Sequence, residues 1–233
     1  MSIFLDSSNL NEIETCHAMG VIRGVTTNPT IMLQDGVTGG MAGIKERAKK
    51  IAELVAPFPV SVEVTTNDPE EIINQAMAFS QIAENIVVKV TIHGPEGEIE
   101  NMEVIHKLET VHNVRVNVTA MMSAQQCLLA ALAGATFVSI FAGRVNDMGY
   151  NACNEINRLR KVLDASGLKA EIIVGSTREA LNVFEWLEAG AHIVTVVPGL
   201  LKKMLVHPYS KETVQMFLRD GAEVEAMLKG QNG

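Results

Sequence analysis

Lys89 stands alone in the apolar run Asn85-Ile86-Val87-Val88-Lys89-Val90. A run so rich in β-branched residues reads as a strand buried on both faces, where an ammonium is strongly disfavoured. Burial favours the neutral amine, whose lone pair can attack a carbonyl and form a Schiff base. The competing explanation is a buried stem whose head reaches solvent or a carboxylate. Imine chemistry needs further groups: an acid to expel water from the carbinolamine, and a base to take a hydroxyl proton when the adjacent carbon–carbon bond breaks. Asp6 and Glu63 are the carboxyl groups suited to those transfers, with Thr119 available to hold a relaying water. Asn28 and Asn117 offer paired donors and acceptors suited to sugar hydroxyls.

These residues recur at one place in a repeating pattern. Short apolar runs at Ile3–Leu5, Ile22–Thr26, Val60–Val64, Ile86–Val90, Val114–Val118, Phe137–Phe141, Glu171–Val174 and Ile193–Val197 read as eight strands. Helical signals separate them. Asp68-Pro69-Glu70-Glu71 offers an N-cap, a proline at the first helical position and a capping-box glutamate. Ser176-Thr177-Arg178-Glu179 repeats the capping-box pattern, and Gly20, Gly134 and Gly190 punctuate helix exits. Ala133-Gly134-Ala135-Thr136-Phe137-Val138 is echoed by Ala189-Gly190-Ala191-His192-Ile193-Val194. Eight βα units imply an α/β fold, a (β/α)₈ TIM barrel, with a doubly wound open sheet as the alternative. The single domain spans 1–233, with an additional C-terminal helix at about 210–229 beyond the barrel. Its Val214, Phe217, Val224 and Met227 suit packing on its own barrel or on a neighbouring subunit.

Barrel active sites gather at the C-terminal strand ends. Those ends present Asp6, then Thr27 and Asn28, then Glu63, Lys89, Asn117 and Thr119. The sixth adds Ser139 and Phe141 with Arg144 just after, and the seventh leads into Ser176 and Arg178. Ser176 and Arg178 lie at a predicted helix N-terminus, a setting that favours a tetrahedral anion, phosphate and sulfonate alike. Taken singly, each has a structural explanation: Asp6 as a helix cap, Asn28 as a turn residue before Pro29, Arg144 as a surface charge, Ser176 as a cap. Together they favour a functional reading.

Composition narrows the partners. The chain has 233 residues, 47% hydrophobic and 20% charged, enough for one large core. A net charge of −8 argues against nucleic acid. Three cysteines without C-x-x-C spacing fit a reducing cytoplasm, and neither a signal peptide nor a membrane span is expected. The six histidines lack H-x-x-H and H-x-x-x-H spacing, so a zinc-dependent aldol mechanism has no support in the sequence; no metal is expected, and no cofactor either.

The segments Ile3-Phe4-Leu5-Asp6, Gly24-Val25-Thr26-Thr27-Asn28-Pro29, Ser61-Val62-Glu63-Val64, Asn85–Val90, Asn117-Val118-Thr119 and Ser139-Ile140-Phe141-Ala142-Gly143-Arg144 resemble the transaldolase family, in particular its short branch containing fructose-6-phosphate aldolases. The resemblance runs to about Phe217. It implies a class I enzyme in which Lys89 forms the Schiff base and Asp6 moves protons during carbon–carbon cleavage. Glu63 and Thr119 hold or use the catalytic water. Asn28, Asn117 and Ser139 bind the dihydroxyacetone portion, Arg144, Ser176 and Arg178 hold the distal anion, and Thr27 and Phe141 complete the substrate-binding set. It also implies a homo-oligomer, the short branch forming decamers of stacked pentamers. Aldolase members carry glutamine in place of Glu63 and tyrosine in place of Phe141, so both residues here resemble the transaldolase side. Transfer of the dihydroxyacetone unit is therefore expected over its release; a sugar-phosphate-binding barrel without turnover is the non-enzymatic alternative.

There are departures. The lysine strand continues Val90-Thr91-Ile92 without the usual proline, and a Gly94-Pro95-Glu96-Gly97-Glu98 insertion follows. The seventh loop, Gly175-Ser176-Thr177-Arg178, and the segment Val145–Asn151 also differ from relatives. A sugar phosphate and a sulfonated sugar both remain open as substrates.

Overall fold

A computed structural model describes residues 1–230 of the chain. They divide into two compact units, the first ending at Pro198. The first unit contains eight parallel strands that hydrogen-bond in sequential order and close into a barrel. They are β1 (Ser2–Asp6), β2 (Ile22–Thr26), β3 (Val60–Glu63), β4 (Ile86–Thr91), β5 (Val116–Met121), β6 (Phe137–Ile140), β7 (Glu171–Val174) and β8 (Ile193–Val196). Closure is made by β1 against β8, Ser2 to Leu5 pairing with Ile193 to Val196. The expected (β/α)₈ barrel is present.

Helices α1 (Leu10–Ala18), α2 (Pro29–Gln34), α3 (Gly40–Val55), α4 (Pro69–Ser80), α5 (Asn101–Thr110) and α6 (Ala124–Leu132) connect the first six strands. The sixth strand is followed by the short α7 (Ala142–Asp147) and then α8 (Ala152–Ser166); α9 (Ala180–Glu188) follows β7. The second unit comprises α10 (Pro198–Leu205), which starts at the boundary, and α11 (Pro208–Gly230). The latter is the expected C-terminal helix.

Capping agrees with the sequence at α4, where Asp68 Oδ1 accepts from Glu71 N at 2.9 Å and Pro69 opens the helix. Two other expectations are displaced. Asn9, not Asp6, caps α1. The N-cap of α9 is Glu179, whose N–H donates to Asn182 Oδ1 at 3.1 Å, so Ser176 and Arg178 lie in the preceding loop. The internal echo corresponds to one structural device: Gly134 and Gly190 leave α6 and α9 at φ 106° and 112°, a conformation a side chain resists.

The two-residue period of a strand explains the barrel interior. Phe4, Val87, Phe137, Ile173 and Ile193 form a buried apolar cluster. Phe4 and Phe137 meet edge to face, with centroids 6.3 Å apart. Gly24 leaves room for this layer, since an added β-carbon would lie 2.6 Å from the Phe4 ring. Two residues further along each strand stand Asp6, Thr26, Lys89, Ser139 and Thr195, which line the cavity above. The apolar layer is thus a floor. Phe137→Ala is expected to destabilise the fold by about 3–5 kcal/mol in urea titration, the usual range for a large aromatic lost from a core. A loss below about 1 kcal/mol would mean the floor is not continuous packing.

Candidate active site

Lys89 is 6% exposed, at the centre of a strand whose other residues are buried almost throughout. Its Nζ lies 3.2 Å from Glu63 Oε2 and donates to the backbone carbonyl of Thr27 at 3.0 Å. Glu63 and Lys89 are direct register partners on β3 and β4, so the ion pair follows from strand pairing. The head therefore neither reaches solvent nor stands without a counter-charge. A buried pair of this kind is costly to form and more costly to break from one side, so it fixes the amine's position.

The next strand continues the network. Asn117 pairs in register with Lys89, and Thr119 with Thr91. Asn117 Nδ2 donates to Ser61 Oγ at 3.0 Å and its Oδ1 accepts from Ser139 Oγ at 2.6 Å. All three are buried. Thr119 Oγ1 is also buried yet makes no hydrogen bond within the described protein. Leaving a buried hydroxyl unpaired costs about 1–3 kcal/mol, and Thr119 also lines the central cavity. A bulge aims this segment: the β5–β6 register shifts between Val118 and Met121, and Ala120 takes φ 61°. It also carries β5 to Met121, beyond the expected end at Val118.

Asp6 sits across the barrel. Thr26 Oγ1 donates to Asp6 Oδ1 at 2.7 Å and lies 2.6 Å from Thr195 Oγ1. Burial raises the Asp6 carboxyl above the usual aspartate range; Lys89 and the Thr26 hydrogen bond pull it back, and Glu63 adds a smaller upward push. A raised carboxyl group such as that of Asp6, in a cavity that also holds a buried lysine, suits proton exchange with a bound molecule.

Asp6, Asn28, Lys89, Asn117, Thr119 and Ser139 share one cavity of about 180 Å³ with Phe141, Arg144 and Ser176. Glu63 and Thr27 flank a small crevice beside it. Thr27 is buried, with Oγ1 donating to Ser61 O at 2.8 Å, so its carbonyl rather than its hydroxyl faces the lysine. Asn28 Oδ1 accepts from Ile31 N at 2.9 Å, capping α2 and leaving its amide N–H groups for other partners. Arg144 lies 5.1 Å above the Phe141 ring and also lines an outer cavity of about 910 Å³. Arg178 lines only the outer one, paired with Asp147 at 3.0 Å. Sequence reasoning missed Ser61, Thr26 and Thr195, whose types are ordinary in strands; their interior register was the available signal.

A titration follows from Asp6. Its folded-state pKa is raised, so its contribution favours the fold fully only below the unfolded value, about 3.9, and is lost as pH rises through the raised value. Asp6→Asn removes that burden. Its thermal midpoint is expected above the parent's at about pH 7 and nearly equal to it at about pH 3. A lower midpoint for the variant at neutral pH would contradict this.

The comparisons with known proteins agree with the geometry. Residues 3–232 match the family model described as Transaldolase/Fructose-6-phosphate aldolase. A protein of Bacillus cereus (strain ZK / E33L) named "Probable transaldolase" is 35% identical over 220 residues, 94% of this chain and 97% of its own. "Probable transaldolase 2" of Listeria monocytogenes is 38% identical over the same length, 94% of this chain and 95% of its own. Among solved structures, the thiamine phosphate pyrophosphorylase from Pyrococcus furiosus superposes with a TM-score of 0.57 at 12% identity, covering 84% of this chain and 85% of its own. That likeness concerns the fold alone. A lysine clamped inside a closed barrel and kinship along nearly the whole chain lead to one conclusion: this chain belongs to the transaldolase/fructose-6-phosphate aldolase family and is an enzyme of the transaldolase type.

Proposed function

We propose that this enzyme transfers a dihydroxyacetone unit from an anionic ketose to an acceptor aldehyde through an imine on Lys89. The observation carrying the reading is the buried Lys89–Glu63 pair, 3.2 Å apart, at a cavity that also holds Asp6 and Arg144. The amine attacks the ketone in its neutral form, with Glu63 beside Nζ to receive the proton. The carbinolamine loses water as a carboxyl group returns a proton, and the protonated imine becomes an electron sink.

Asp6 then takes the proton of the hydroxyl on the far carbon of the bond to be broken, the carbon that leaves as an aldehyde. The bonding electrons move into the imine, an aldehyde departs, and an enamine remains on Lys89. A second aldehyde enters, the enamine attacks it, Asp6 returns the proton to the new hydroxyl, and water hydrolyses the product imine to free the new ketose and Lys89. The Asn117–Ser139 pair and Asn28 suit the hydroxyls of the three-carbon unit. Arg144 and Ser176 suit the distal anion, while Arg178 lines the outer cavity paired with Asp147 and reaches the anion only if that pair opens. Phe141 puts an apolar ring on the cavity, which disfavours protonation of the enamine carbon by water before an acceptor arrives and so favours transfer.

The buried unpaired hydroxyl of Thr119 suits a water for imine hydrolysis, a step shared by transfer and by the second reading, release of free dihydroxyacetone. The distal group is a phosphate or a sulfonate, both tetrahedral anions within reach of an arginine. A homo-oligomer in the cytoplasm fits the family. Among the described residues no helix is long and apolar enough to cross a membrane.

The test supplies phosphorylated and sulfonated ketoses with and without an acceptor aldehyde. New ketose should form only with acceptor present; dihydroxyacetone appearing equally fast without it would support release instead. Arg144→Ala should raise KM for an anionic ketose by about tenfold to a hundredfold, the loss of one charge-assisted contact, with a smaller effect on an uncharged one. Equal loss with both donors would remove Arg144 from the anion end.

A further inference from the structure

Gly143 occupies an unusual position between two loops of the site. It is buried in α7, directly before Arg144. A β-carbon added there would fall inside the carbonyl oxygen of Ser176, 2.9 Å from the carbonyl carbon and 3.0 Å from Ser176 Oγ. The β6 and β7 loops therefore touch backbone to backbone, a distance only glycine permits. Ser176 itself takes φ 62°, a left-handed conformation that a serine resists and that its surroundings must hold.

Those surroundings are on both sides. Gly175 N donates to Ile140 O at 2.9 Å, tying the residue before Ser176 to the end of β6. Thr177 Oγ1 donates to Thr195 O at 2.8 Å, tying the residue after it to β8. Ser176 is thus pinned fore and aft while its carbonyl rests against Gly143. Arg144, one residue on, and Ser176 both line the inner cavity. Arg144 has no ion pair among the described residues and rests on the Phe141 ring, whereas Arg178 is committed to Asp147.

We infer that Gly143 is a positioning residue that sets the separation of Arg144 from Ser176 and thereby the enzyme's preference for a donor ending in a tetrahedral anion. The inference rests on the reading that these two side chains receive the distal anion. Gly143 touches no substrate; it lets the two loops that carry Arg144 and Ser176 meet backbone to backbone. A methyl group at 143 pushes the pinned Ser176 loop away from Arg144. Lys89, Asp6 and Asn117 stand on other strands and are not moved.

The experiment compares the parent enzyme with Gly143→Ala, using a phosphorylated ketose, an uncharged ketose of the same length, and inorganic phosphate as an inhibitor of the uncharged reaction. In the parent, phosphate should inhibit and the phosphorylated donor should have the lower KM. Absence of both would sink the anion-end reading itself. Given both, Gly143→Ala should raise KM for the phosphorylated donor and the phosphate inhibition constant together by about tenfold to a hundredfold, as for a contact misplaced by about 1 Å. The KM and kcat for the uncharged donor should change less than about threefold. Equal loss with both donors, or an unchanged inhibition constant, overturns the assignment of Gly143.

If the variant does not fold, amide hydrogen exchange on the parent decides. Phosphate should protect segments 142–146 and 175–178 over one concentration range. Protection of one segment without the other overturns the coupling.

Discussion

An ammonium inside a barrel is tolerated only if something answers its charge, and here Glu63 does so from the neighbouring strand at 3.2 Å. The carbonyl of Thr27 takes a second hydrogen bond at 3.0 Å, so the nitrogen is held between β2 and β3 while its stem stays in apolar surroundings. Removing either charge leaves the other buried and unpaired, a loss of about 3–5 kcal/mol in comparable pairs. The pair is thus a restraint as much as a source of stability. It keeps the one strong nucleophile of the cavity pointed at one place and puts a proton acceptor beside it.

The rest of the site follows from a spacing of two. Phe4 precedes Asp6, Val87 precedes Lys89, Phe137 precedes Ser139 and Ile193 precedes Thr195, each by two residues on the same strand. The lower member of each pair packs the dry floor and the upper member lines the reactive layer. Because the period is fixed, the floor cannot be packed without also orienting the groups above it. The floor keeps the upper layer desolvated, which raises the Asp6 carboxyl above the usual aspartate range. Stability lost in burying Asp6 is offset by the apolar packing beneath it.

The barrel was legible because its strands are short, β-branched and evenly separated by helical segments. The ends of β2 and β7 agree with the sequence to the residue, while β5 runs past its expected end because of the bulge at Ala120, which no residue type announces. Lys89 was legible because one charge in an apolar run has few explanations. The glutamate partner was visible as a residue, but its pairing depended on register. Thr26, Thr195 and Ser61 were opaque because threonine and serine serve equally well on either face of a strand. Arg178 and Ser176 looked like a helix start; the helix begins later, at Glu179, because that residue and Asn182 satisfy the free N–H groups instead. Gly143 was invisible for the opposite reason: its role lies in an absent atom, and only the position of the Ser176 carbonyl reveals it.

The central claim is that the amine of Lys89 becomes covalently joined to the ketose. Borohydride added during turnover, followed by mass spectrometry of the digested chain, tests it directly. The account predicts a reduced adduct of one three-carbon unit or one donor on the peptide carrying Lys89, and none on Lys89→Ala that retains the parent's circular dichroism. An adduct on another lysine, or turnover by that variant at the parent's rate, would contradict it.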